Sequence, residues 1–364
     1  MSDRFLVSAV GAVIDIDLSR RDPAFSSRAR RAWSDAMYEG PDAPTAVVTD
    51  RAELDDLAAL ASLSTDVTLA ALAQRRGDAL WMLHAAGLAD EEGRVVVLSA
   101  PSGTGKTTAA RHLSQHYAYV SDETVGIDRT GVVVPYRKPL SIIDRAQPHK
   151  AQVALSSFDG GRVLPASLRV AKIVVLDRSE DGPWVPELDV LDLSTALELL
   201  APQTSYLSDA QAPLHLIDGL LRATGGAVRL RYREVDTIDG VIAELLRTEV
   251  TVVSPATAGS SEARSAVDVG RAGYARAHVV DVLELHDGRL AVLQRSDVGS
   301  QVRVLDGIGP AIWAAAMGAS LDEITVSVVE VHGAPEGMDA TSMVQAAVDR
   351  LVDDGVLVER SPQV

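Results

Sequence analysis

RVVVLSAPSGTGKTTAARHLSQHYAYV, residues 94–120, reads as a buried strand, a glycine-bearing loop and a helix in immediate succession. Residues Ala100 to Thr107, APSGTGKT, fit the phosphate-binding pattern G-x-x-x-x-G-K-[ST] with alanine in place of the first glycine. The spacing has a chemical reason. Gly103 and Gly105 let consecutive backbone N–H groups turn inward around phosphate oxygens, Lys106 reaches the β- and γ-phosphates, and the Thr107 hydroxyl can ligate Mg2+. A helix starting at Thr107 adds its positive N-terminal end. Val95-Val96-Val97-Leu98 before the loop and Thr107 to Tyr117 after it supply the strand and helix that the motif requires. The nucleotide-binding candidates are therefore Ser102, Gly103, Thr104, Gly105, Lys106, Thr107 and Thr108, with ATP and Mg2+ as the implied ligands.

The chain around this loop has 364 residues, 47% of them hydrophobic, which predicts a globular protein of two or three domains. A net charge of -17 would repel a phosphate backbone over most of the surface, so nucleic acid is not an expected partner. The absence of cysteine excludes disulfides, thiolate catalysis and cysteine-ligated zinc, and fits a reducing cytoplasm. The apolar run Phe5 to Ile14 lacks a basic flank and continues into alternating Asp15-Ile16-Asp17-Leu18, so it reads as a strand and not a signal peptide. No stretch reaches the about 18 apolar residues of a membrane span, and no membrane association is expected.

Residues 1–78 begin with that strand and continue through two segments of helical spacing, Arg28 to Met37 and Asp50 to Leu63. Their arginines, Arg20-Arg21 and Arg28-Arg30-Arg31, read as a solvated helix face. Ala79 to Ala89, ALWMLHAAGLA, is closed by Asp90-Glu91-Glu92-Gly93 and followed at once by the loop strand. So short a connection implies an antiparallel hairpin, since parallel strands need a crossover of about a dozen residues or more. With the turn centred near Glu91-Glu92, simple pairing then sets His84 roughly opposite Ser99, at the mouth of the loop. A lone histidine in an apolar run can equally be a satisfied core residue.

After the helix, Tyr117 to Ser121 is a short strand expected beside the loop strand, and it ends in Asp122-Glu123. Adjacent carboxylates at that position can hold Mg2+ and accept a proton from an attacking hydroxyl. Thr124 to Ile127 and Val132 to Tyr136 form a second hairpin through Asp128-Arg129-Thr130-Gly131, and two hairpins around one loop predict a mixed sheet. Arg137-Lys138 then places two cations at the end of that strand, where they could meet phosphate or an acidic substrate, or simply be solvated. Ala171 to Asp177 and Val228 to Tyr232 read as strands; Ser194 to Leu200, Pro213 to Arg222 and Val241 to Arg247 read as helices. Arg222, Arg229, Arg231 and Arg233 are all candidates for contacting a transferred phosphate, and spacing does not choose among them.

Small polar residues fill 251–267, which reads as a linker between a catalytic part at 79–250 and a module at 268–364. That module shows strands at His278 to Leu285, Leu290 to Arg295 and Gln301 to Leu305. Ser320 to Glu323 has capping-box spacing before a helix. A final helix carries Val344, Val348, Leu351 and Val352 on one stripe and ends at Gly355, where a left-handed cap is expected. Strands followed by helices suggest a small winged-helix-like domain without catalytic residue types.

The ordered series LHAAGL (83–88), APSGTGKTT (100–108), SDE (121–123) and VPYRKPLSI (134–142) resembles the HPr kinase-like branch of the phosphoenolpyruvate-carboxykinase fold. That resemblance covers residues of about 80–247 and implies a P-loop kinase built on an α/β, α+β mixed-sheet domain. It implies catalytic roles for His84, Lys106, Asp122 and Glu123, and Mg2+ ligation by Thr107, Asp122 and Glu123. Bacterial HPr kinases usually carry two aspartates where this chain has Asp122-Glu123, so the division of roles between the two stays open. The glycine-rich segment that those kinases use around their protein substrate has no clear match, which argues against HPr as substrate. Residues of about 268–362, with LDGIGPAIW at 305–313, resemble PqqD-like domains, which capture leader peptides by strand addition at a sheet edge. Here that edge would be Gln301 to Leu305. Together the two resemblances imply a kinase that phosphorylates a seryl or threonyl hydroxyl of a leader-bearing precursor peptide. A small-molecule kinase and a non-catalytic, nucleotide-gated peptide chaperone remain as alternatives, and a homo-oligomer is left open.

Overall fold

The computed structural model describes residues 3–360 apart from 102, 143–147, 159–161, 248–271, 297–298, 335–336 and 338. Ser102 and the linker read at 251–267 therefore lie outside the described residues. The chain is mixed α/β and packs as two compact units, Met1–Gln211 with Leu216–Ala256, and Ala212–His215 with Thr257–Val364.

The first unit opens with β1 (Arg4–Ala9), β2 (Ala12–Asp17), α1 (Pro23–Ala32), β3 (Ala46–Thr49) and α2 (Asp56–Gln74). β2 is the centre of a three-stranded sheet, antiparallel to β1 and parallel to β3. Both helices begin earlier or later than their apolar spacing suggests, because caps set the start. Asp22 accepts from Phe25 N with Pro23 just inside the helix, and Asp55 accepts from the N–H groups of Leu57 and Ala58. The arginines of this region are only in part a solvated face: Arg20 and Arg31 are exposed, but Arg21 pairs with buried Asp50, Arg28 with Asp56, and Arg30 lies over the Phe5 ring. α2 has the length and apolarity of a membrane-spanning helix, with mean hydropathy 1.3, which corrects the expectation that no stretch does. In the fold, Ala59, Leu63, Val67 and Ala71 line its buried stripe against Phe5, Ile14, Ile16 and Trp33, and the same core takes in Leu80, Met82 and Tyr136.

Next come β4 (Leu80–Leu83), β5 (Ala85–Ala89), β6 (Arg94–Ser99), α3 (Lys106–Leu113), β7 (Ala118–Ser121), β8 (Val125–Asp128), β9 (Val133–Val134), β10 (Leu140–Ile142) and β11 (Ala151–Val153). They are followed by β12 (Arg169–Arg178), β13 (Glu187–Val190), α4 (Leu193–Leu200), α5 (Pro213–Ala223), β14 (Ala227–Tyr232) and α6 (Asp239–Leu246). Six of these strands form one mixed sheet in the order β13-β14-β12-β6-β5-β7. β6, β12 and β14 run parallel, so their C-terminal ends, Ser99, Arg178 and Tyr232, share one edge. β5 pairs antiparallel with β6 across a tight turn, which Gly93 closes at φ +79; a Cβ there would sit 1.9 Å from the Ser167 carbonyl oxygen, so no other residue fits.

The apolar run 79–89 is not one strand. β5 and β7 pair within the six-stranded sheet, and the same two chain segments continue as β4 and β8, paired antiparallel in a second sheet with β9. Both segments turn the corner together, one at His84 and the other at Asp122 to Thr124. Every residue of β4 and β5 is buried, so the sequence carries no alternation to reveal the break. Two expectations change in consequence: Ser99 faces Ala85 and not His84, and β5 separates β7 from the loop strand.

The second unit contains β15 (Gly273–Arg276), β16 (Asp281–Glu284), β17 (Leu290–Ser296), β18 (Gly299–Leu305), α7 (Gly309–Ala315), β19 (Met317–Ala319), α8 (Leu321–His332), α9 (Ala340–Asp353) and β20 (Leu357–Arg360). The sheet β16-β17-β18 matches the three strands read from sequence. A second sheet, β19-β15-β20, was not read from sequence, because its strands have only three or four residues. Ser320 and Glu323 form the expected capping box, and Gly355 takes φ +68 after α9. The helices pack over Val292, Leu305, Ile312, Trp313 and Val348. β18, including Gln301 to Leu305, pairs with β17 alone among the described strands.

Candidate active site

The phosphate-loop motif occupies the turn between β6 and α3. Ala100 is buried in the sheet core, while Gly103 and Gly105 adopt φ +87 and +100, conformations that a side chain would strain. A Cβ built at Gly103 meets nothing within 4 Å, so this exposed glycine is required by its backbone conformation and not by crowding. The Thr104 hydroxyl donates to Pro101 O at 2.6 Å and fixes the bend, and Ala109 N donates to Gly105 O at 2.9 Å as α3 begins. The Lys106 side chain folds back under the loop, where its ammonium donates to Ala100 O and, at 3.2 Å, to Pro101 O. Burial lowers the Lys106 pKa below the usual lysine value, while the nearby carboxylates of Glu123 and Asp122 oppose that shift. Thr107 is half-buried and Thr108 exposed on the first turn of α3.

The corner of the paired strands brings the other candidates together. The Ser121 hydroxyl accepts from Glu123 N at 3.1 Å and Thr124 N at 3.2 Å, which closes a side-chain turn and projects the two carboxylates. His84 N donates to Gln203 O at 2.7 Å, and its Nδ1 lies 2.7 Å from Glu123 O and 3.5 Å from Glu123 Oε1. Ala85 N also donates to Glu123 O, at 3.2 Å. The imidazole thus braces the corner from the opposite strand and faces the Glu123 carboxylate.

The two carboxylates differ in exposure. The Asp122 side chain is 2% exposed and accepts from the Tyr119 hydroxyl at 2.8 Å, whereas that of Glu123 is 36% exposed. Burial and the Asp122 carboxylate push the Tyr119 hydroxyl well above its usual pKa, so it remains a donor. Lys138 completes the cluster. Its ammonium lies 3.6 Å from Asp122 Oδ1 and 3.6 Å from Glu123 Oε2, donates to Pro139 O at 3.1 Å, and is 3% exposed. The solvated reading of this cation is therefore corrected. Pattern could not find it, because Lys138 meets its partners only after the strap behind β9 docks, with Tyr136 N donating to Val120 O at 3.0 Å. Replacing Lys138 by methionine leaves the buried Asp122 charge unpaired, and we expect a loss of about 3 kcal/mol or more in urea unfolding. An unchanged urea midpoint would contradict this pairing.

The candidate arginines separate as well. Arg222 is held by Asp218 at 2.8 Å, Arg231 pairs with Glu187 and Asp189 on β13, and Arg233 stacks on Trp184. The arginine beside the loop is Arg178, which sequence reasoning missed; its Cδ lies 3.8 Å from where a Gly105 Cβ would be.

Thr107, Asp122 and Glu123 offer hard oxygen donors of the type Mg2+ takes. Among the described residues no group of three or more His, Asp or Glu side chains is placed to hold a metal ion. The donor set fits a Mg2+ that shares its coordination with phosphate oxygens. Such a site can bind a polyphosphate at the loop and withdraw a proton from a hydroxyl presented to Glu123. No family model matches the chain, and no curated protein matches it.

Proposed function

We propose that the chain is an ATP-dependent kinase of the HPr kinase-like type, acting on a seryl or threonyl hydroxyl of a precursor peptide in ribosomally synthesised, modified-peptide biosynthesis. The observation that carries this reading is the joint placement of Lys106, Glu123, Asp122, Lys138 and His84. A protein that only binds nucleotide needs the loop lysine but neither the carboxylate pair nor the histidine.

Lys106 holds the β- and γ-phosphates from within the loop, and the loop N–H groups surround their oxygens. Thr107 with Glu123 would hold Mg2+, which when bound supplies neutralisation of charge on the phosphate oxygens. Glu123, the more exposed carboxylate, takes the proton of the peptide hydroxyl. The hydroxyl oxygen forms a bond to the γ-phosphorus, and the bond from that phosphorus to the bridging oxygen breaks with its electron pair leaving on ADP. Asp122 is a positioning residue: it fixes Lys138 and, through it, the Glu123 carboxylate. His84 orients Glu123 from the facing strand.

The second unit supports the peptide half of this reading through β18, whose outer edge has no strand partner among the described residues and can accept a leader strand. A cytoplasmic setting follows from the need for ATP and agrees with the lack of cysteine. Removing residues 268–364 tests the division of labour. The shortened enzyme should lose affinity for a leader-bearing precursor yet phosphorylate a short core peptide at about its original rate, because a captured leader acts through effective concentration. Equal loss on both substrates would make the second unit structural. No loss on either would remove the leader-binding reading.

A further inference from the structure

The three parallel strands deliver Ser99, Arg178 and Tyr232 to one edge of the sheet, the edge that carries the phosphate loop. Ligands of open parallel sheets bind outside the C-terminal ends of the strands, and on this edge a chain of contacts runs from the loop through Arg178 and Arg233 to Trp184. Arg178 lies against Gly105 and donates from Nε to the Arg233 carbonyl oxygen at 3.1 Å. The Arg233 guanidinium lies over the Trp184 ring, 4.2 Å from its centre. The turn before Trp184 is anchored, with Ser179 N donating to Tyr232 O at 3.2 Å and Gly182 N to Ser179 O at 3.0 Å. Gly182 permits this close approach, since a Cβ there would sit 2.8 Å from Tyr232 O.

Trp184 is nonetheless 68% exposed, while Trp33, Trp81 and Trp313 are 0%, 1% and 6% exposed. An indole held in place by a backbone anchor and a cation over one face, with most of its surface open, is a stacking platform for a planar heterocycle. We propose that Trp184, backed by Arg233, stacks the base of the nucleotide whose phosphates occupy the loop, with Arg178 bridging the two ends of the site. This rests on the reading of the loop as a nucleotide site, and it assigns the base end that the phosphate motif leaves undefined.

Mg2+-ATP and Mg2+-tripolyphosphate, which shares the phosphates but has no base, separate the two claims. Titration calorimetry would compare both ligands on the full chain, wild type, Trp184→Ala, Trp184→Phe and Lys106→Ala. We expect Trp184→Ala to weaken ATP by about tenfold, the effect of one lost base stack, and to leave tripolyphosphate unchanged. Trp184→Phe should recover most of the loss, and Lys106→Ala should weaken both ligands. Saturating ATP, but not tripolyphosphate, should also protect tryptophan fluorescence from iodide quenching. ATP affinity unchanged in Trp184→Ala, or lost equally for both ligands, would overturn the stacking role alone. Failure of the wild type to bind either ligand would overturn the nucleotide site as well. Protection from iodide by an aromatic peptide but not by ATP would assign Trp184 to the acceptor instead.

Discussion

We expect Lys106→Ala to reduce the proposed phosphoryl transfer by about 10³-fold or more and to raise the ATP dissociation constant, while the protein stays folded. A positioned cation on transferring phosphate oxygens in a water-poor site is worth several kcal/mol in the transition state. Lys106 is the only cation in the phosphate-loop motif, and its ammonium is already held against the loop carbonyls of Ala100 and Pro101. Truncation leaves those two carbonyls without that donor, a cost of about 1–3 kcal/mol for each one that stays buried, which should not unfold the unit. Lys106→Arg tests shape as well as charge, because a planar guanidinium does not reproduce the compact, buried ammonium held by the Ala100 and Pro101 carbonyls, and it should rescue poorly. Full activity in Lys106→Ala would remove the loop from the chemistry.

Glu123→Gln is expected to lower turnover by about 10²-fold or more with ATP affinity kept within tenfold, as loss of a general base does. Asp122→Asn should act differently. Its side chain is buried, receives the Tyr119 hydroxyl and faces Lys138, so neutralising it leaves the buried ammonium with only the more exposed Glu123 of its two carboxylate partners and is expected to lower the unfolding midpoint. Measuring kcat, KM for ATP and the thermal unfolding midpoint for both variants separates a base from a positioning residue. If Asp122→Asn loses turnover at unchanged stability and Glu123→Gln stays active, the roles are reversed.

The loop, the helix behind it and the hairpin before it were legible because glycine, turn residues and a helix start mark them directly. The mixed sheet followed from the shortness of the 90–93 turn. His84 was brought to the right corner but one residue out of register, since a run buried on both faces has no period from which to read register. The break of that run into β4 and β5, and the insertion of β5 between β6 and β7, depend on pairings with β8 and with the 203–205 segment far along the chain. Lys138 and Arg178 were unreadable for the same reason. Each is an ordinary surface cation by composition, and only tertiary packing sets one between two carboxylates and the other beside Gly105. In the second unit, the capping box and Gly355 were local signals, whereas β15, β19 and β20 are too short to stand out from loops.

The most direct measurement is mass spectrometry of a leader-bearing precursor peptide after incubation with the full chain, ATP and Mg2+. The account predicts a product heavier by one phosphoryl group, located by fragmentation on a seryl or threonyl side chain, formed with one ADP per peptide and absent with Lys106→Ala or Glu123→Gln. An unmodified peptide recovered alongside bound but uncleaved ATP would contradict it and leave a nucleotide-binding protein without transfer chemistry.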